Sequence, residues 1–116
     1  MERDVFVNCP FDHDYDKIFD AIVFAVIRSG FRPRSALEND DSGQVRIVKI
    51  AEIIAECPFG IHDISRTECD GNPPLQRFNM PLELGLFLGA KTYGRPSLRK
   101  KKTLILDTEK LSAIYF

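Results

Sequence analysis

Between Asp70 and Asp107 the chain contains one acid, Glu83, inside the stretch FNMPLELGLFLGAK at residues 78–91. The stretch reads as a short helix that is apolar nearly all the way round. With Met80 as its cap and Pro81 at its first position, Glu83 falls in the first turn. Two readings are open there. One is structural: a glutamate at the third helical position completes a capping box. The other is chemical: a helix start offers unpaired N–H groups and partial positive charge, which keep a carboxylate ionised. Projected at ~100° per residue, Glu83 lies beside Phe87 and flanks a Leu82–Leu86–Gly89 face, the edge of a buried surface where a shielded catalytic carboxylate could sit. Gly85 and Gly89 read as a narrow ridge that lets the helix lie close on a sheet.

Other polar groups gather at the ends of apolar segments. Asn8, Cys9 and Pro10 end DVFVNC; Ser35 to Glu38 follow FRPR; Asp63 and Ser65 end FGIHDIS; Asp107 ends TLILD. Asp63 reads equally well as a turn former. Arg32 and Arg34 border one such end and could hold a phosphate, although solvated charge is the ordinary role of surface arginine. His62 reads as a half-buried sheet histidine and His13 as a loop histidine. Neither histidine nor cysteine spacing fits a metal site, so no metal is expected. The segment NCPFDHD lacks the glycines of a dinucleotide or phosphate loop. The basic run RKKK at 99–102 reads as a solvated turn, and nucleic acid is not an expected partner.

These groups need elements to position them. DVFVNC reads as a strand. YDKIFDAIVFAVIRSG has apolar residues at 18, 19, 22, 23, 26 and 27, which is helical spacing, and Gly30 closes it. FRPRSAL is a weaker strand, with Pro33 favouring a sheet edge. QVRIVKIAEIIAEC is a second amphipathic helix with Ile47, Ile50, Ala51 and Ile54 on one face. FGIHDIS is a third strand, RTECDGNPPLQRFN a long loop, and TLILD a fourth strand. Strand and helix alternate four times, which argues an α/β domain with a parallel sheet, in strand order 2-1-3-4 with helices on both faces. In such sheets ligands bind beyond the carboxyl ends of the strands. Glu83, Asp63 and the loop after Val7 are therefore expected to line one cleft.

At 116 residues the chain is one domain. TEKLSAIYF after the last strand is too short for the helix that normally covers one sheet face, so residues 1–116 are expected to be the N-terminal part of a longer protein, or to need a partner. The composition, 44% hydrophobic and 28% charged with a net charge of −1, gives no general attraction to nucleic acid or membrane. Three cysteines without CxxC spacing suggest free thiols in a reducing cytoplasm. No apolar run approaches the ~18 residues of a membrane span. Apolar side chains on both sides of the last helix, Leu82 and Leu86 against Leu84 and Leu88, suggest a homo-oligomer.

The strand ending HDIS at 62–65, the asparagine before the helix and FNMPLELGLFLGAK at 78–91 resemble two related groups. One is the Toll/interleukin-1 receptor-like (TIR-like) domains of bacterial defence proteins, and the other is the nucleoside 2-deoxyribosyltransferase-like domains. The opening VFVNCPFD with AIVFAV is similar to bacterial proteins with these folds. The resemblance implies a flavodoxin-like, three-layer fold and cleavage or exchange of an N-glycosidic bond at a ribose. It implies Glu83 as the catalytic carboxylate, Asp63 and Asn79 on ribose hydroxyls, and Arg34 on phosphate; Asn8, Pro10 and Ser65 are expected to complete the rim by their place at the strand ends. It implies NAD as a substrate, not a resident cofactor, and a nucleotide ligand. The chain departs from both patterns. It lacks the serine and the tryptophan–cysteine pair that often precede the TIR glutamate, and has RFNMP where the transferases carry Asp-x-Gly-Thr. The expected activity is NAD glycohydrolysis. The rivals are a deoxyribosyltransferase-like enzyme and a non-catalytic nucleotide-sensing or assembly domain in which Glu83 is only a cap.

Overall fold

A computed structural model describes residues 2–38, 45–65 and 79–107, together with the backbone of 69–70 and 75–76. Strand β1 (Asp4–Asn8) is buried along its whole length. After a 3-10 turn at His13–Tyr15 comes helix α1 (Asp16–Arg28). Gly30, at φ +86°, ends it: the Gly30 N–H donates to the Ile27 carbonyl and the Phe31 N–H to the Val26 carbonyl, both at 3.0 Å. That pair of bonds is the usual way a glycine in the left-handed region closes a helix. Strand β2 (Arg32–Arg34) follows, then α2 (Arg46–Glu56) and β3 (Phe59–Asp63). Within the Gly- and Pro-rich segment, which the sequence reads as loop, a two-residue pair, β4 (Cys69–Asp70) and β5 (Leu75–Gln76), runs antiparallel. Helix α3 (Asn79–Tyr93) and strand β6 (Lys102–Leu106) complete the described chain. The TEKLSAIYF tail and most of the ENDDSG loop lie outside the described residues.

The main sheet is wholly parallel in the order β2-β1-β3-β6, which is the expected 2-1-3-4 and makes the domain a flavodoxin-like α/β fold. Side chains alternate across it. Val5, Val7 and Cys9 pack with Tyr15, Val26 and Phe59 on the α1 side. Phe6 packs with Ile50, Ile53, Ile54 and Phe87 on the α2–α3 side. On the α1 side the sheet is only partly roofed. A trough of about 360 Å³, lined by Phe31, Phe59, Ile61 and Leu104 among others, runs over β3 and β6, and no described helix follows β6.

Charged groups are placed against expectation at two points. Arg34 does not stand at an open rim. Its guanidinium is shared among Asp4 at 2.9 Å, Glu38 at 2.6 Å and Glu56 at 2.7 Å. Arg32 adds a paired contact to Asp4 at 2.8 and 2.7 Å. Hydrogen bonds from Arg32 hold the Asp4 carboxyl down at about 2 against the effect of burial, and Arg34 adds to them. That network gives Arg34 three acidic partners within the chain. In the RKKK run, Arg99 and Lys100 are exposed, but Lys101 is 2% exposed. Its ammonium donates to the Ile54 and Cys57 carbonyls at the end of α2 and lies 4.7 Å from the centre of the Phe87 ring. The cation occupies the negative end of the helix dipole, adding to the Cys57 N–H bond at the Ile54 carbonyl.

Two tests follow from this packing. A Cβ built on Gly60 would come within 2.6 Å of His62 Nε2 and 2.9 Å of Phe87, whereas one on Gly85 or Gly89 would meet nothing within 4 Å. The glycines of α3 therefore face open space and not the sheet, contrary to the ridge expected. Gly60→Ala should destabilise by about 1–3 kcal/mol through overpacking, while Gly85→Ala and Gly89→Ala should each stabilise by about 0.5–1 kcal/mol through helix propensity; urea unfolding of the three variants distinguishes them. In the same assay Lys101→Met, which keeps the stem but removes the ammonium from the Ile54 and Cys57 carbonyls, should cost about 1–3 kcal/mol.

Candidate functional site

The site forms where the carboxyl ends of β1 and β3 meet the start of α3. Asn8 is the last residue of β1, and its side chain faces α3. The amide Nδ2 donates to His62 Nδ1 at 2.9 Å and to the Met80 carbonyl at 2.9 Å, so both of its hydrogens are used. The Met80 carbonyl can only accept, which fixes the amide's orientation. His62 Nδ1 then accepts too, and the imidazole proton resides on Nε2. The ring is edge-on to Phe6 and to Phe87, with centroids 5.8 and 4.9 Å away. Burial pushes its pKa down to about 3, so His62 is neutral at physiological pH. It is a fully buried strut under α3, more enclosed than the half-buried histidine expected.

Helix α3 begins at Asn79, two residues before the expected start at Pro81, and carries no acid in its first turn. Glu83, its fifth residue, is therefore not the capping-box glutamate. The buried stripe of α3 runs through Met80, Glu83 and Phe87, one turn per step. Leu82, expected on the buried face, is 53% exposed. Glu83 thus lies on the buried face itself, at 4% exposure, with Oε2 accepting no hydrogen bond among the described residues. Arg46, at the first position of α2, places a guanidinium nitrogen 3.7 Å from Oε2, an ion contact too long for a direct hydrogen bond. Burial raises the Glu83 pKa and the Arg46 charge opposes that rise.

Both residues open into a cleft of about 300 Å³ between α2 and α3, whose polar wall is Arg46, Asn79 and Glu83 and whose apolar wall is Val45, Ile47, Ile50, Leu82 and Leu86. The volume is at the small end of the ~300–1,000 Å³ typical of ligand sites, and a mainly apolar lining with a few convergent polar groups is the usual composition. Of the residues picked from the sequence, Asn79 lines this cleft and Asn8 holds the helix that carries Glu83. Asp63 belongs to the other side of the sheet. The alternation that turns His62 toward α3 turns Asp63 toward α1, where the Tyr15 hydroxyl donates to its Oδ2 and the Ser65 N–H to its Oδ1 at 2.8 Å. Asp63 and Ser65 thus form a turn beside the cleft and do not line it. Pro10 is buried at the β1 end. Arg46 was missed by the sequence reading, although a cation in the first turn of a helix, where acids are favoured, was a visible signal.

Cys9 and Cys57 are free, buried thiols. Burial pushes each up to about 12, and at Cys9 the negative charges of Asp63 and Glu83 add to the rise, so neither is a nucleophile at neutral pH. Among the described residues no three His, Cys, Asp or Glu side chains gather as a metal site requires, and no helix is long and apolar enough to cross a membrane.

The buried neutral imidazole has a consequence for stability. With a folded pKa near 3 against 6.5 in the unfolded chain, His62 binds its proton in the unfolded state first. Its contribution is complete above pH 6.5 and is lost as pH falls from 6.5 toward 3. Acidification to pH 4 should therefore cost about 3 kcal/mol from this group, read as a fall in the urea midpoint that is smaller in His62→Gln. Comparison of the chain with protein-family models, with curated proteins and with solved structures found no match, so the reading of this site rests on its own geometry.

Proposed function

We propose that this domain processes a nucleotide by cleaving an N-glycosidic bond, with NAD as substrate and Glu83 as the group that stabilises the reacting sugar. One observation carries the reading: a carboxylate only 4% exposed, with an oxygen that accepts no hydrogen bond among the described residues, lines a cleft with an apolar wall beside the Arg46 guanidinium. Such a group is costly to bury and contributes nothing to packing that a leucine would not. Its chemical use is clear. As the bond between ribose C1′ and the pyridinium nitrogen breaks, its electron pair leaves with neutral nicotinamide and the sugar acquires oxocarbenium character. A fixed anion in a low-dielectric cleft stabilises that charge far better than one in water. Water then bonds to C1′ and gives up a proton to solvent, leaving ADP-ribose. The leaving ring is already a good leaving group, so no general acid is required. The apolar wall of Ile47, Ile50, Leu82 and Leu86 suits a flat base or nicotinamide ring.

The resemblance to TIR-like domains at residues 62–65 and 78–91 supports the same chemistry, as does the strand order. A role in bacterial defence, a cytoplasmic location and self-association through exposed apolar side chains such as Leu82 and Leu104 belong to this proposal.

The test is nicotinamide release from NAD by the purified chain. Glu83→Gln should lower it by at least about 100-fold, in line with the loss of one electrostatic stabiliser. The same substitution should not lower the thermal midpoint at pH 7. A raised folded pKa means that the ionised Glu83 is destabilising there, a penalty absent below the unfolded value and growing as pH rises through the folded one. Release by the wild type should fall on acidification at a pH above the ordinary glutamate value. Release that is unchanged in Glu83→Gln would refute the proposal.

A further inference from the structure

The start of α2 is built contrary to the usual electrostatics of a helix. Its cap, Val45, has extended backbone geometry and no polar side chain, and no acid lies in its first turn. That turn instead contains two cations, Arg46 and Lys49. The first N–H groups of a helix lack intrahelical acceptors and carry partial positive charge, so cations there are unfavourable unless an anion faces them. The anion at hand is Glu83, with Oε2 at 3.7 Å from Arg46. Among the described residues, that wall of the cleft sets one buried carboxylate against the Arg46 guanidinium and the α2 terminus. The Arg46 side chain is 53% exposed, so while one edge of the guanidinium faces Glu83 the rest is open to the cleft mouth. A guanidinium presents five N–H donors in a planar fork, enough to serve a carboxylate on one edge and a phosphate on the other. A second observation marks the adjoining position as a ligand site: Glu83 lines the cleft, its side chain is more than nine-tenths buried, and its Oε2 accepts no hydrogen bond among the described residues. It is an acceptor suited to a sugar hydroxyl.

We infer that the cleft between α2 and α3 recognises a phosphorylated sugar, with Arg46 and the α2 N-terminus holding the phosphate and Glu83 facing the sugar, so that the ligand is a nucleotide and not a bare nucleoside. This deepens the function proposed above and separates it from its transferase-like rival, which would take unphosphorylated nucleosides. Arg34, bound by Asp4, Glu38 and Glu56, is replaced in the phosphate role by a residue that no motif had marked.

The experiment is titration of the isotope-labelled chain with AMP and with adenosine, a pair differing only in the phosphate and needing no turnover, followed by amide chemical shifts. AMP should shift the Arg46, Ile47 and Glu83 amides saturably and bind at least about 10-fold more tightly than adenosine, the worth of one charge-assisted contact. Arg46→Gln should remove that preference by weakening AMP roughly 10- to 100-fold, far more than it weakens adenosine, and Arg46→Lys should restore part of it. Equal binding of AMP and adenosine, or an AMP preference that survives Arg46→Gln, overturns the inference, as does the absence of shifts at the cleft. Failure of the underlying reading looks different: AMP would bind through Arg46, yet NAD would yield no nicotinamide.

Discussion

One side-chain amide holds this domain's working end together. Asn8 spends both of its donors, on His62 Nδ1 and on the Met80 carbonyl, and so ties the ends of two neighbouring parallel strands to the first turn of the helix that carries Glu83. A parallel sheet supplies ladder bonds between strands but nothing between a strand end and an overlying helix. Here that link is polar, buried and directional, and it fixes where along the sheet α3 begins. Buried amide bonds of this kind contribute modestly when made and cost much more when one partner is missing. The arrangement is therefore a constraint on geometry more than a source of stability.

Below that link is an aromatic layer. Phe6 and Phe87 lie nearly parallel at 6.4 Å, and His62 stands edge-on to both. Gly60 makes room for the imidazole and the Phe87 ring, and Lys101 closes the far side over Phe87 while capping α2. A core of flat rings in fixed orientations resists sliding in a way that an aliphatic core does not. One end of α3 is thus pinned by hydrogen bonds and its middle by ring packing, which leaves Glu83, between them, little freedom. A carboxylate that must face developing charge gains most from being held still beforehand.

The electrostatics divide the molecule into two regions. Around β2 and the start of β1, Asp4, Arg32, Arg34, Glu38 and Glu56 neutralise one another in a closed network. At the cleft the pairing of Glu83 with Arg46 is loose, at 3.7 Å, with half of the Arg46 side chain exposed. Equal numbers of charges would be unremarkable in either region. What differs is satisfaction: one set has short bonds throughout, whereas the other retains an acceptor and several donors directed into a cleft.

Fold class, strand order and the singular Glu83 were legible in the sequence, because alternating apolar periods, a closing glycine and an isolated acid are local properties of the chain. The role of Glu83 as a buried residue was only half legible: a two-residue error in the helix start separates a capping glutamate from a core carboxylate, and that start is set by a long-range bond from Asn8. The separation of Asp63 from Glu83 follows from the two-residue alternation of β3, but which face received α3 was decided by packing of Phe87 on Phe6. Arg34 and Lys101 look like ordinary surface cations in one dimension; only their approach to Asp4 and to the α2 carbonyls, 30 and more residues away in sequence, gives them structural work. Arg46 became part of the site for the same reason, since its meeting with Glu83 depends on two helices packing side by side on one sheet, a contact between distant segments that no local pattern encodes.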